Sequence, residues 1–379
     1  MHRPDDVLQA LQIAATDEAR LFRLVAARPA FDAAARSAVV VALRRSESAT
    51  LAACVDAVDA LARAKASGAL LAGRDLLLLI EEDGAVDAGD DSAIVAGGAG
   101  QGGLRALAAA ALVLTSRGPV ATPGDGGQLF GAPVREIVTT RRANCSAELV
   151  VGGERGAERL LAALTTLTAP SAMRVTTEAR VLLDVVADLG GLGAALTCRA
   201  VLVAATHDVA LRRLALPERW RRGLLRDDVA IDSIDAPRNS DVARATLHID
   251  LVADADVHAW LRRAKAALGP AARAAASDPA PTLSVTQTWT RSTSPAHGPF
   301  LALLDATLGR TTSNANVVHI AAAAAGHAWG LAGPTRPCYG VFPLQRGDSA
   351  TDAETQTPLP SVTADAETVA LLRAVVEVG

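Results

Sequence analysis

The sequence predicts an α/β protein built on a largely parallel sheet. The first observation is rhythm: from Ser92 onward, short apolar runs alternate with amphipathic stretches of about ten residues. The second is composition, since 50% of the residues are hydrophobic and 21% charged, as in a globular chain with a sizeable core. The third is length: 379 residues allow two or three domains at ~100–200 residues each, or one large duplicated fold.

Residues 4 to 72 read mainly as helices. Apolar positions recur at three-to-four spacing in Val7-Leu8-Leu11-Ile13, in Leu21-Leu24-Val25 and in Leu51-Cys54-Val55-Val58-Leu61. Ser37–Ala42 interrupts them as a strand. The apolar run Leu76–Ile80 and the polar Glu81–Asp91 then mark a turn or boundary. After it come a strand at Ser92–Ala96, a helix at Leu104–Leu114, a Gly/Pro-rich loop at 118–133 and a strand at Val134–Thr139.

The alternation is clearest next. Strands are expected at Ala147–Val151, Met173–Thr176 and Arg199–Ala205, with helices at Ala157–Leu167 and Val181–Leu189 between them. The final third repeats the order: strand Ala245–Val252, helix Val257–Leu268, strand Thr282–Thr288, helix Pro299–Leu308, small-residue helix Ala321–Ala325 and strand Pro337–Phe342. Gly269–Pro281 and Arg346–Pro360 read as connectors. The expected division is a helical N-terminal region at 1–91, a first α/β half at 92–235 and a second at 236–379.

Charge excludes some partners. Lys+Arg 37 against Asp+Glu 41 gives net −4, so no basic footprint argues for nucleic acid or an acidic membrane. No apolar run reaches ~18 residues without a charge or turn former, and the N-terminus does not read as a signal peptide. Cys54, Cys145, Cys198 and Cys338 lie far apart and form no CxxC pair, which suits a reducing cytoplasm better than a disulfide framework or a zinc knot.

Two short motifs invite a chemical reading. Gly98-Ala-Gly100-Gln-Gly-Gly103 is a GxGxxG between an expected strand and helix, the pattern that seats a pyrophosphate on a helix N-terminus, with Asp125 as a ribose ligand. It supports an NAD(P)-dependent oxidoreductase. The plainer reading is a Gly-rich turn in a chain of 30 glycines, and Gly103 and Leu104 stand where a P-loop needs Lys and a hydroxyl. Thr206-His207-Asp208 follows an apolar run, yet helix capping accounts for it better than a metal site. Glu81, Glu82, Asp83, Asp90, Asp91, Asp227 and Asp228 read as solvated loop charges. Of the seven histidines, His297 and His319 fall where strand-to-helix loops would open into a cleft.

From Ala147 to Gln345 the order of elements resembles the thiolase superfamily, above all β-ketoacyl-acyl-carrier-protein synthase III-like ketosynthases. Met173–Leu183 stands where that family has its nucleophile strand and helix, Val201–Ala205 resembles the strand that follows, and Leu224–Ala230 its GDGA-like turn. Thr290–His297 and Val317–Ala325 stand where the family places its catalytic His and His/Asn. No Cys occupies the nucleophile position: Glu178 is there, with Thr177 beside it, and a carboxylate forms no thioester.

The resemblance implies two similar five-stranded sheets enclosing buried helices, and an acyl-transfer or condensing protein of lipid or polyketide-type biosynthesis, or its catalytically altered partner subunit; the helical N-terminal region read from its apolar spacing is unlike the family's start. Glu178, His297 and His319 would be its catalytic residues, with no cofactor and no metal. Acyl-CoA or acyl-carrier protein would be its partner, in a homo- or heterodimer. The oxidoreductase and a non-enzymatic interaction subunit stay open beside it.

Overall fold

The computed structural model describes residues 20–24, 39–44, 47–70, 74, 76–81, 110–116, 128–129, 132–153, 155–169, 175–203, 226–237, 241–252, 256–271, 279–311, 316–322, 328–329, 336–342 and 361–377. The described strands are β1 (Arg20–Leu24), β2 (Val39–Arg44), β3 (Leu76–Glu81), β4 (Leu112–Ser116), β5 (Gln128–Leu129), β6 (Ala132–Arg141), β7 (Asn144–Gly152), β8 (Asp228–Asp235), β9 (Val242–Asp250), β10 (Thr282–Trp289), β11 (Ser292–Thr293), β12 (Asn316–Ala322) and β13 (Cys338–Phe342). The helices are α1 (Ser48–Ala66), α2 (Gly156–Thr168), α3 (Thr177–Val203), α4 (Val257–Ala271), α5 (Pro299–Thr311) and α6 (Ser361–Glu377).

The strands form two sheets. The larger has nine strands in the order β1-β3-β2-β4-β13-β6-β11, with β5 and β12 also on β6. Its centre is parallel, β2 pairing with β3 and β4, and β4 with β13. β1 runs antiparallel to β3. Buried on both faces, these strands are near-continuous apolar runs, as VVVALR in β2 and LVLTS in β4 show.

Period two sorts their side chains between two helical layers. Val39, Val41 and Leu43 of β2 pack with Leu51 and Val58 of α1, Leu301, Leu304 and Leu308 of α5, and Leu371, Leu372 and Val375 of α6. Val40 and Ala42 face the other way, onto Ala179, Leu182, Leu183, Val186, Cys198 and Val201 of α3. The result is a three-layer helix–sheet–helix unit.

The smaller sheet is antiparallel, β10-β7-β9-β8, and the described helices that pack on it, α2 and α4, share one of its faces. β7 alternates cleanly: Cys145, Ala147, Leu149 and Val151 are buried against α2 and α4, and Ser146, Glu148 and Val150 are less so. Among the described strands the chain passes directly between the sheets twice, from β6 into β7 through Arg142 and Ala143, and from β10 into β11 through Thr290 and Arg291. These crossings are neighbours, because Asn144 pairs with Trp289 on one side and Arg141 with Ser292 on the other.

The mixed α/β class is therefore as expected, and the duplicated thiolase-like core is not present. One mixed sheet of nine strands and one antiparallel sheet of four do not make two similar halves. The N-terminal region contributes β1, β2 and β3 to the large sheet, so it is not a helical region apart. The division expected at 235/236 falls between β8 and β9, which pair with each other.

Several local expectations change with it. Leu21–Leu24 is strand, since pairing with β3 overrides its helical spacing. Val175 and Thr176 lead into α3, whose Ala179 amide donates to Thr176 Oγ1 at 3.2 Å, an N-cap in place of a nucleophile strand. Residues 199–203 continue α3 instead of forming a strand, and 228–230 open β8 instead of a turn. Ala321 and Ala322 close β12; residues 323–325 lie outside the described residues. The strand at 92–96 and most of the helix at 104–114 also lie outside them, and 112–114 are in β4.

α3 has a further peculiarity. It kinks at Gly191 (φ 68°, ψ −162°), a left-handed conformation that favours glycine. Beyond the kink Leu192, Leu196 and Val203 are exposed. Over Ala179–Val203 this is the one helix among the described residues long and apolar enough to cross a membrane by length and composition, although its inner face is taken by the large sheet.

Candidate functional site

In an open α/β sheet the place to look is where the strand order reverses, beyond the carboxyl ends of the strands. From β2 the chain passes through α1 to β3 on one side, and the next parallel strand, β4, lies on the other side of β2. The reversal point is thus the crevice between the ends of β2 and β4. β2 ends at Arg44 and β4 at Ser116; Glu47 follows Arg44 just ahead of α1.

These three side chains form one cluster. Glu47 is only 1% exposed. Its Oε1 accepts the Ser116 hydroxyl at 2.6 Å and two guanidinium N–H groups of Arg44, from Nε at 3.4 Å and Nη2 at 3.3 Å. Its Oε2 accepts the Arg44 amide at 3.0 Å. The Arg44 side chain is 31% exposed, so the pair is a buried carboxylate holding a half-buried cation. The Glu47 carbonyl accepts the Leu51 amide at 2.8 Å, and the Glu47 amide donates to Arg44 O at 3.0 Å, which fixes the turn between strand and helix.

A second polar cluster sits at the junction of the sheets. His248 Nε2 lies 3.3 Å from Asp250 Oδ1, and Arg142 Nη2 is 3.7 Å from Asp250 Oδ2. Contact with Asp250 raises the His248 pKa against the lowering effect of burial. Burial alone would raise Asp250, but His248 and Arg142 outweigh it and leave its pKa low. Asn144, which pairs with Asp250 across the strands, is 2% exposed, and its Oδ1 has no hydrogen-bond partner among the described residues. Burial, and then the Asp250 charge, push the Cys145 thiol up to about 12, so it is no nucleophile.

The residues singled out in the sequence do not converge. Val318 and Ile320 of β12 face α3, so His319 faces the opposite layer, where its Nε2 meets Asp305 Oδ1 of α5 at 2.8 Å. Glu178 belongs to α3, on the other side of the sheet, and only its backbone is described. His297 is exposed in the turn before α5. Cys198 is buried, its thiol raised to about 11 by burial and by Asp184. The GxGxxG at 98–103, Asp125 and His207 lie outside the described residues. Among the described residues no three of His, Cys, Asp or Glu gather closely enough to hold a metal ion.

Arg44, Glu47 and Ser116 were missed for a physical reason. The signal was present: an apolar strand, VVVALR, followed by the polar Arg45-Ser-Glu47 and an apolar helix. It reads as a carboxyl-end loop only once β2 is known to be central, and sequence spacing does not reveal strand order.

No family model matches the sequence, and no curated protein matches it. Solved structures do match the fold. The di-peptidase Dug1p from Saccharomyces cerevisiae superposes with a TM-score of 0.60 at 12% identity, covering 90% of this chain and 79% of its own. Human carnosine dipeptidase 1 gives 0.56 at 12% identity, covering 98% and 88%. An M20 family metallo-carboxypeptidase from Sulfolobus solfataricus gives 0.51 at 13% identity, covering 98% and 94%. These replace the thiolase-like resemblance, and with it the ketosynthase, acyltransferase and lipid or polyketide readings. The oxidoreductase and interaction-subunit alternatives gain nothing from them.

Proposed function

We propose that this chain acts on peptides or other amide-linked amino-acid derivatives, as a hydrolase of the class whose fold it shares. One observation carries the reading: nearly the whole chain superposes on a di-peptidase, a dipeptidase and a carboxypeptidase. Fold alone is an analogy, so the reading depends on a site. The Arg44–Glu47–Ser116 crevice supplies one where this sheet class binds ligands.

One of those proteins is a metallo-carboxypeptidase, so a metal is the group to test against these residues. The described residues do not fit one. Glu47 has both oxygens committed to Ser116 and Arg44, and a guanidinium stands in the crevice. This favours a second reading, binding of the amide-linked ligand without turnover.

A panel of dipeptides and N-acyl amino acids, incubated with the protein with and without added Zn²⁺, Mn²⁺ or Co²⁺ and followed by mass spectrometry, tests the first. Release of free amino acid is expected; saturable binding without release selects the second reading. Neither release nor binding with any member would dispose of both.

A further inference from the structure

We propose that the crevice at the ends of β2 and β4 grips a carboxylate of its ligand through the Arg44 guanidinium, without a divalent metal ion. The inference rests on the amide-ligand reading above and specifies how the ligand is held. Arg44 ends the central parallel strand and is part exposed, while its partner Glu47 is almost wholly buried.

A guanidinium has five N–H donors. Two of them go to Glu47 Oε1, and the side chain's remaining donors have no partner among the described residues. They point the chemistry toward a planar anion, because the guanidinium fork matches a carboxylate in two-pronged fashion. Glu47 acts as an internal counter-ion. It fixes the plane and direction of the fork before any ligand arrives, which cuts the ordering cost of binding.

The same arrangement disfavours a metal. A divalent ion placed on Glu47 would have to displace Ser116 at 2.6 Å and the Arg44 N–H groups, and would then sit within a few ångströms of a permanent positive charge. The local charge is thus suited to an anion, where a metallo-hydrolase needs a cluster of anionic or imidazole ligands.

The test uses the full chain after chelator treatment, with metal content measured by elemental mass spectrometry. Titration calorimetry with alanyl-alanine and N-acetylalanine is run against their carboxamides. The proposal expects no stoichiometric metal, affinities for the carboxylates unchanged within about twofold by metal removal, and carboxamides at least tenfold weaker. Arg44→Gln should lose tenfold or more, with Arg44→Lys in between.

Binding that needs Zn²⁺ or Mn²⁺, equal affinity for the carboxamides, or an Arg44→Gln protein that binds like the wild type would each overturn it, while leaving the amide-ligand reading standing. Were the wild type to bind none of the probes, both would fall. The carboxamide comparison uses wild-type protein only, so a poorly folded Arg44 variant cannot mask the result.

Discussion

Three residues set measurable consequences of their own. The raised pKa of His248 means that its contact with Asp250 contributes stability fully below its ordinary value of ~6.5, and that this is lost as pH rises through the raised value. Asp250 has the opposite sign: its lowered pKa contributes above the ordinary carboxylate value of ~3.9 and is lost as pH falls. The melting temperature of wild type should therefore exceed that of His248→Gln most between about pH 4 and 6.5, the gap narrowing above it; a gap constant from pH 5 to 9 would refute this. Glu47 makes a different case, being fixed by contacts and closed to water. Glu47→Ala leaves the Ser116 hydroxyl and the Arg44 amide without an acceptor, at a cost of about 2–3 kcal/mol. Urea midpoints at unchanged slope would measure it, and Glu47→Gln, which keeps one acceptor, should lose less.

Among the elements, α3 holds the sharpest contrast. Leu183 is fully buried against the large sheet, whereas Leu192, just past the Gly191 kink, is 78% exposed. Leu183→Ala should cost about 2–5 kcal/mol by opening a cavity. Leu192→Ser should stay within about 0.5 kcal/mol. Equal losses in chemical denaturation would show that the outer face of α3 is packed after all. The same helix marks where sequence reading succeeds and stops. The amphipathic α2 and α4 and the alternating β7 and β9 were legible, since each buries one face and solvates the other. The C-terminal part of α3 was not, because a run such as Ala200-Val-Leu-Val203 suits strand and helix alike, and only its continuity from Thr177 decides. β1 failed in reverse, its helical spacing overruled by pairing with β3. The candidate site was hidden for a third reason: Arg44 and Ser116 are 72 residues apart in sequence and meet only through strand order.

At the scale of the whole molecule the two sheets share more than their two crossings. α3 belongs to the excursion between β7 and β10, yet its buried face completes the core of the large sheet. The excursion therefore cannot unfold without uncovering Val40, Val138, Val318 and Ile320. Calorimetry should show one transition with calorimetric and van't Hoff enthalpies in agreement, and two resolved transitions would contradict the shared core. The paired crossings carry one last consequence, for movement. Asn144–Trp289 and Arg141–Ser292 bracket the two crossings, and both crossings are tied down between them. The Ala143 carbonyl accepts the Leu251 amide at 2.9 Å, the Thr290 carbonyl accepts Arg141 Nε at 2.9 Å, and Arg142 lies 3.7 Å from Asp250. A swing of one sheet against the other would have to break these contacts and pull α3 from its core. The two sheets are therefore braced as one body. Spin labels placed on β9 and α1 should report a single narrow distance distribution, and a broad or two-peaked one would contradict the bracing.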